Sequence, residues 1–374
     1  MDYARMRLKY HGDPARLDEV LQAECRDKCV RKLPTLSTTE GFRFPSTALA
    51  EMATSEAIAE IHASTIETSH TVLDMTCGLG IDTFAMARKG ADVTAIEIDQ
   101  KAYKEICHNT EILGLGNRVH TVCADSIEWL RENDRHFDII FIDPQRRDST
   151  GRHFLLSQCV PDITSSFQLL TSRCERLIIK MSPMADVKAV KQELGLDHCH
   201  VRLIGTTREC KEVVIETGTH IDKDTVECIT VGRPSLSFIP GQGEISSRYD
   251  IPAIGDILLE PYPAVMKGVS LGSLRRFTEA KLAPETHLFT APDGQVSAFP
   301  GKKMKIIEVI PFSKSAIKGF ARSHPSVNVA VRNFPLTAPE LARKLKVREG
   351  GDLMVHGATL ADGSRVLILT ETPH

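Results

Sequence analysis

Four carboxylates stand at regular intervals through one stretch of the chain: Asp74, Glu97, Asp125 and Asp143. The first opens the segment Asp74-Met-Thr-Cys-Gly78-Leu-Gly80, whose glycines let a backbone turn tightly and approach a ligand with no Cβ in the way. A nicotinamide fingerprint asks for a third glycine where Thr83 stands, so the glycine pair alone does not name a ligand. The acids add what the glycines lack. Glu97 follows about twenty residues later, where a strand-end carboxylate accepts both ribose hydroxyl hydrogens. Asp125 comes just after the next strand, where a side chain reaches the exocyclic amine of an adenine. Asp143-Pro144 ends the strand after that, at the carboxyl edge where open α/β sheets bind ligands. A single such acid reads equally well as a helix cap. Four at successive strand ends, with glycines after the first, point to a nucleotide-like ligand.

The elements that must position these residues alternate strand and helix. Strands are expected at Thr71 to Met75, Val93 to Ile98, Val119 to Cys123, Phe137 to Ile142 and Arg176 to Lys180. Helices are expected at Thr83 to Lys89, Lys101 to Leu113, Ser126 to Glu132 and Ile163 to Leu170. This spacing predicts an α/β fold, a parallel sheet with helices on both faces and right-handed crossovers. Glu212 to Thr217 and Thr225 to Val231 read as an antiparallel hairpin that finishes the sheet. Before the sheet, Asp13-Pro14 starts a helix running to about Lys32, and a second helical region spans Ala48 to Ile66. After it come a Pro- and Gly-containing connector, Arg233 to Gly255, and a small unit around Glu260-Pro-Tyr-Pro263 with a helix near Leu274 to Ala280. The last module reads as strand Lys303 to Ile310, helix Ser315 to Arg322, strand Val327 to Arg332 and helix Pro339 to Leu345. Two strands, Leu353 to Ala358 and Arg365 to Thr370, close it through a turn at Asp362-Gly363. The expected domains are a helical extension over 1–66, a Rossmann-like domain over 67–235, a connector with a small unit over 236–298, and a terminal domain over 299–374.

Composition excludes several classes. With 42% hydrophobic and 25% charged residues the chain is that of a globular protein, and its longest apolar runs are strand-sized, far short of the roughly 20 residues of a membrane helix. No apolar leader follows Met1, so the expected location is the cytoplasm, with no membrane. The ten cysteines include no Cys-x-x-Cys pair, and neither Cys25 with Cys29 nor His198-Cys199-His200 has zinc-site partners, so no metal is expected. Net charge is only −3, yet residues 301–374 carry twelve Lys and Arg against six Asp and Glu, which makes this end +6 on a body of −9. Arg343, Lys344, Lys346 and Arg348, and also Lys302, Lys303 and Lys305, are candidates for tracking a phosphate backbone.

The segment Thr71 to Asp148 resembles class I S-adenosylmethionine-dependent methyltransferases, with their first motif at Asp74 to Gly80 and the catalytic motif at Asp143-Pro144-Gln145-Arg146. The resemblance implies S-adenosyl-L-methionine as cofactor, held by Asp74, Thr76, Cys77, Gly78, Gly80, Glu97, Ile98, Asp125, Ser126 and Asp143. Ala53-Thr-Ser-Glu-Ala-Ile-Ala59 is similar to the approach segment of the trimethylguanosine synthase group. The whole chain resembles bacterial methyltransferase-like proteins in which a ferredoxin-like unit, here Leu259 to Leu288, precedes a THUMP-like domain, here Phe299 through Leu369. In that last stretch Val331-Arg-Asn-Phe-Pro335 and Leu360-Ala-Asp-Gly363 carry the likeness. The implied reaction is methyl transfer to an exocyclic amine of an RNA base, guanine N2 first. The related motif is Asp-Pro-Pro followed by an aromatic residue that stacks on the flipped base. Here Gln145 offers an amide oxygen in place of the second proline, and Arg146 offers stacking or a phosphate contact in place of the ring. Two other classes stay open: a cofactor- or RNA-binding protein with little activity, and a methyltransferase for protein or a small molecule.

Four further places have a bland and a functional reading. Cys77 packs the glycine loop rather than acting as a nucleophile. Lys180-Met-Ser-Pro183 lines a cleft or is a plain turn, Glu209-Cys-Lys-Glu212 reads as structural, and Phe44-Pro45 covers the cofactor pocket or packs the core.

Overall fold

The computed structural model describes residues 1–146, 156–241, 248–268, 274, 280–294, 296 and 298–372, with Arg146 described in its backbone only. The chain divides into two units, residues 1–201 with 212–224, and residues 202–211 with 225–374.

The first unit opens with α1 (Tyr3–Lys9) and α2 (Pro14–Cys29), capped by Asp2 and Asp13. The single helical region expected over Ala48 to Ile66 is two helices, α3 (Thr47–Met52) and α4 (Glu56–Ala63). They part because Ala53 turns extended and the Ser55 hydroxyl caps a new helix through the Ile58 N–H, which leaves Thr54 between them. The alternation follows as β1 (Thr71–Asp74), α5 (Ile81–Arg88), β2 (Asp92–Glu97), α6 (Gln100–Ile112), β3 (Val119–Cys123), α7 (Ser126–Glu132) and β4 (Phe137–Ile142). A short pair, β5 (Gln145–Arg146) and β6 (Cys159–Val160), leads to α8 (Ile163–Ser172), β7 (Cys174–Met181), α9 (Val187–Leu194), β8 (His200–Gly205) and β9 (Cys210–Gly218). Within this unit the strand order is β9-β7-β4-β1-β2-β3. All neighbours are parallel except β7 and β9. β1 and β4 are buried almost throughout, as the apolar residues of Val72-Leu73 and Ile139 to Ile142 require of strands covered on both faces. The chain leaves β1 toward β2 on one side, while β4 pairs on the other. The crevice at this switch point opens above the carboxyl ends of the strands, where Asp74, Glu97 and Asp143 stand.

The hairpin expected between Glu212 to Thr217 and Thr225 to Val231 is not formed. The turn lies one strand earlier, between β8 and β9, where the Thr206 N–H donates to the Glu209 carbonyl at 2.8 Å. β10 (Thr225–Thr230) runs beside β8, with the Val231 N–H on the Gly205 carbonyl at 2.9 Å, and pairs with β11 (Leu236–Phe238). Strand β8 is hidden in the sequence because Arg202, 1% exposed, interrupts its apolar run.

The rest of the second unit comprises β12 (Arg248–Tyr249), β13 (Ile257–Pro261), α10 (Pro263–Gly268), β14 (Ala280–Lys281), β15 (Phe289–Ala291) and β16 (Gly301–Pro311). It ends with α11 (Lys314–Ser323), β17 (Asn328–Arg332), α12 (Ala338–Leu345), β18 (Leu353–Thr359) and β19 (Arg365–Glu371), the elements expected of the last module. Their sheet runs β12-β14-β15-β13-β16-β19-β18-β17. β16 carries both halves: its first residues pair with β13 and its last with β19. Leu258, Leu288, Met304, Ile306 and Ile368 form one core cluster, and Phe320, Leu341, Val355 and Leu369 another under α11 and α12. Apart from Leu274 and Ala280, the helix expected near Leu274 to Ala280 lies outside the described residues, and Ala280 begins β14. Among the described residues no helix is long and apolar enough to cross a membrane.

Candidate functional site

The loop after β1 is fixed from inside by Asp74. Its carboxylate accepts the Thr83 hydroxyl at 2.6 Å and the Thr76 N–H at 3.2 Å, so the residue in the place of a third glycine serves as a strut. Burial pushes the Asp74 carboxyl up to about 7, with those two donors opposing the shift. Thr76 in turn accepts the Asp143 N–H at 2.7 Å and so ties the loop to the end of β4. The two glycines do different work. Gly78, at φ +56°, lines a cavity and donates its N–H to Glu97 at 3.0 Å. Gly80, at φ +83°, faces inward, where an added Cβ would meet the Phe84 ring at 2.8 Å, and it lines neither of the two cavities of this site. Cys77 is buried, and burial beside Asp74 drives its thiol well above the ordinary value, which removes it as a nucleophile.

The first cavity measures about 470 Å³ and is bordered by Gly78, Glu97, Ile98, Asp125, Ser126 and Gln145, among others. This size suits a small-molecule ligand. Glu97 accepts the Asp99 N–H at 2.8 Å as well as that of Gly78, and burial raises its pKa against those donors. Asp125 caps α7 through the N–H groups of Ile127 and Glu128, at 2.9 and 3.0 Å, both on one oxygen, and borders the cavity. Ile98 is 68% exposed and gives the cavity an apolar wall, joined by Val160 and by Leu49 and Met52 of α3. Pro45 also lines it, while Phe44 is buried in the core with Phe42, ring centroids 5.3 Å apart, so the two readings of Phe44-Pro45 divide between neighbours.

A second cavity of about 70 Å³ shares Leu49, Met52, Thr76, Gly78 and Gln145 with the first and adds Thr54, Asp82 and Asp143. Here the sequence reading missed most of the machinery. Lys180, at the end of β7, donates to the Asp143 carboxylate at 2.6 Å and to the Thr54 hydroxyl at 2.9 Å. Thr54 donates to Asp82 at 2.6 Å, and the other Asp82 oxygen meets His62 Nδ1 at 2.7 Å. The far ring nitrogen of His62 meets Glu212 on β9, whose second oxygen lies 3.9 Å from Lys180. Burial opposes charge on His62, but Glu212 and Asp82 outweigh it and carry the imidazole up to about 9. Burial also opposes charge on Asp82, yet His62 holds that carboxyl down at about 2. Lys180 is likewise held above its ordinary value, burial being outweighed by Asp143, Asp82 and Glu212. Among the described residues, two cations thus face three carboxylates, Asp143, Asp82 and Glu212. Glu212, read as structural from sequence, closes this network. His62 and Asp82 carried no signal at all, since 150 positions separate His62 from Glu212.

The strand-end motif is only partly described. Asp143 sits at the second cavity, Pro144 is buried, and Gln145 lines both cavities from its place opposite Val160 in the short pair of strands. The backbone of Arg146 pairs with Cys159, while Arg147 and Asp148 lie outside the described residues. The Arg343 to Arg348 and Lys302 to Lys305 clusters do not share a strand or helix: α12 packs on β17, three strands from β16. Lys302 and Lys305 are moreover paired with Glu260 and Asp293, at 2.9 and 3.6 Å. Arg343, Lys344, Lys346 and Arg348 are exposed. Among the described residues no group of three or more His, Cys, Asp or Glu is arranged to hold a metal ion.

A parallel sheet ended by an antiparallel strand, a glycine turn after β1 and acids after β2, β3 and β4 together define the fold of class I methyltransferases. The chain as a whole is similar to the crystal structure of a candidate methyltransferase from Porphyromonas gingivalis W83, with a TM-score of 0.85 and 27% identity over 99% of this chain and 94% of that one. Residues 30–156 match the family model described as Conserved hypothetical protein 95, and residues 301–372 that described as THUMP domain-like. Ribosomal RNA small subunit methyltransferase J of Francisella tularensis subsp. novicida is 32% identical over 81 residues, 20% of this chain and 34% of the relative. An uncharacterized RNA methyltransferase of Thermosynechococcus vestitus is 29% identical over 92 residues, 24% of this chain and 20% of the relative. The chain therefore spans about a third or less of the length of these curated relatives.

Proposed function

We propose that the protein is an S-adenosylmethionine-dependent methyltransferase that acts on RNA in the cytoplasm, with an exocyclic base amine as acceptor and guanine N2 favoured. The observation that carries this reading is the junction of the two cavities at Thr76, Gly78 and Gln145, with a nucleoside-sized space on one side and Asp143 on the other. The residues fit the cofactor. A Cβ built at Gly78 would meet nothing closer than the Thr76 carbonyl at 3.9 Å, so it would stand in the open cavity that the glycine keeps free. Glu97 and Asp125 supply acceptors for ribose hydroxyls and an adenine amine, and Ile98 an apolar face. The excess carboxylate around Asp143 favours a cationic group close by. When bound, the cofactor supplies an electrophilic methyl group.

The chain's own residues treat the acceptor. Asp143 and the side-chain oxygen of Gln145 accept amine hydrogens, which orients the nitrogen lone pair toward the first cavity. Lys180 stays an ammonium and so does not take the proton that the amine loses on methylation, which passes to the Asp143 carboxylate that accepts its hydrogen; Lys180 holds one Asp143 oxygen and leaves the other for the acceptor. RNA as the substrate class is supported by the names of the matched relatives, by the THUMP-like match and by the exposed basic end of α12. The guanine preference rests on the approach segment around Thr54, the residue that reaches Lys180 and Asp82. Nucleoside mass spectrometry of total RNA from cells with and without the gene tests the reading. Loss of one methylated guanosine supports it, and an unchanged profile points to binding without transfer.

A further inference from the structure

We propose that Lys180 is the positioning residue of the acceptor site, held by a relay of Thr54, Asp82, His62 and Glu212 so that Asp143 presents one oxygen of an ionised carboxylate. The inference rests on the reading of Asp143 as the acceptor-orienting carboxylate and adds the device that orients Asp143 itself. A strand-end aspartate has free rotation about its side-chain bonds, and a carboxylate in a half-closed cavity gains a proton more readily than one in water. Either freedom would spoil an oriented hydrogen-bond acceptor. The Lys180 ammonium removes both: it fixes one Asp143 oxygen at 2.6 Å and places a positive charge against it.

A flexible four-carbon stem does not hold such a geometry unaided. Lys180 is aimed by groups from three neighbouring parts of the fold. Thr54 accepts from it out of the break between α3 and α4, Glu212 faces it from β9, and Asp82 at the start of α5 grips Thr54. His62, on α4 and 1% exposed in its side chain, bridges Asp82 and Glu212 and balances their charge. Among the described residues, the charged groups facing Asp143 are therefore Lys180, Asp82 and Glu212, with Asp74 next along the strand ends. Burial raises the Asp143 carboxyl pKa, and Lys180 is what opposes this. The relay also accounts for the helix break at Ala53-Thr54, since a continuous helix there would not bring the Thr54 hydroxyl between Lys180 and Asp82.

The test uses the full chain in two arms. In the ligand-free protein, infrared difference titration follows the Asp143 carboxylate band, assigned by its loss in Asp143→Asn. Lys180→Met is expected to move that titration upward by about one pH unit or more, Thr54→Val by less, and Lys180→Arg hardly at all. In the methyl-transfer assay, the acid limb of kcat is expected to move upward in the same order, with kcat lowered about 100-fold in Lys180→Met while cofactor affinity holds. An Asp143 titration that is the same in wild type, Lys180→Met and Thr54→Val overturns the proposal whatever the activity. If Lys180→Met does not fold, Thr54→Val alone decides. An infrared shift in Lys180→Met and Thr54→Val, together with no methyl transfer by the wild-type protein, would sink the reading of the function and leave the positioning of Asp143 standing.

Discussion

The hydroxyl of Thr76 accepts the backbone N–H of Asp143 at 2.7 Å, and through this bond the loop that faces the first cavity and the strand end that faces the second keep one register. Thr76→Val removes the acceptor and leaves a part-buried N–H without it. The expected cost is about 1–2 kcal/mol of stability, read from urea denaturation, together with slower transfer at unchanged cofactor affinity. A variant as stable and as active as wild type would mean that the bond is incidental.

The two loop glycines both sit at left-handed φ, so a side chain at either strains the loop, but only Gly78 borders the first cavity. Gly78→Val therefore crowds that cavity as well as straining the backbone, and Glu97→Ala removes the acceptor assigned to the ribose; each should weaken S-adenosylmethionine binding in calorimetry by about 10-fold or more. Gly80→Ala instead meets Phe84 at a left-handed φ, so it should destabilise the fold by about 1–3 kcal/mol through strain. Unchanged affinity in both Gly78→Val and Glu97→Ala would remove the cofactor from this cavity.

Stability should depend on pH through His62. Its folded pKa of about 9 lies above the ordinary 6.5, so the stabilisation from its charged form is complete below about 6.5 and is lost as pH rises through 9. Asp82 has the opposite sign. Its folded pKa of about 2 lies below 3.8, so its contribution is present above 3.8 and lost as pH falls through 2. Urea midpoints taken from pH 6 to about 10 should fall in wild type and stay flatter in His62→Gln, which should itself be less stable by about 3–5 kcal/mol at neutral pH because two buried carboxylates lose their partner. Parallel curves for the two proteins would contradict the charge assigned to His62.

RNA affinity is predicted to follow α12 rather than β16. A fragment starting near Phe299 would strip β13 from β16, so charge changes in the full chain are the cleaner probe. Reversing Arg343, Lys344, Lys346 and Arg348 together should weaken binding and flatten the slope of log affinity against log salt by about 0.7–0.9 for each phosphate no longer neutralised. Neutralising Lys302 and Lys305, already paired with carboxylates, should change the slope little. Equal slopes for wild type and the α12 variant would show that this helix does not touch RNA.

What could be read from the sequence follows the range of the interactions. Helix and strand periods are local, so β3, α7 and β4 are legible to the residue, as is the succession of elements from β16 to β19. Asp74, Glu97 and Asp143 are legible as site candidates because strand ends are. Of the relay behind Asp143 only Lys180 is legible, as a cleft candidate after the fifth strand; His62, Asp82 and Glu212 sit on three other elements and meet it only after the sheet has formed. β8 escaped because the buried Arg202 breaks its pattern, and its loss misassigned the hairpin. The helix break at Thr54 escaped because the alanines, Glu56 and Ile58 around it suit a helix, and Thr54-Ser55, the residues that favour a cap, fit an exposed helix turn as well as a boundary.

Transfer of a methyl group to an RNA base amine under the control of Asp143 can be followed in a reconstituted reaction. RNA from cells lacking the gene is incubated with purified protein and isotopically labelled S-adenosylmethionine, then digested and its nucleosides resolved by mass spectrometry. Wild-type protein is predicted to place label in a base-methylated nucleoside, N2-methylguanosine first, and Asp143→Ala is predicted to place none while binding the cofactor normally. No label in RNA from the wild-type reaction, or equal label from wild type and Asp143→Ala, would contradict the account.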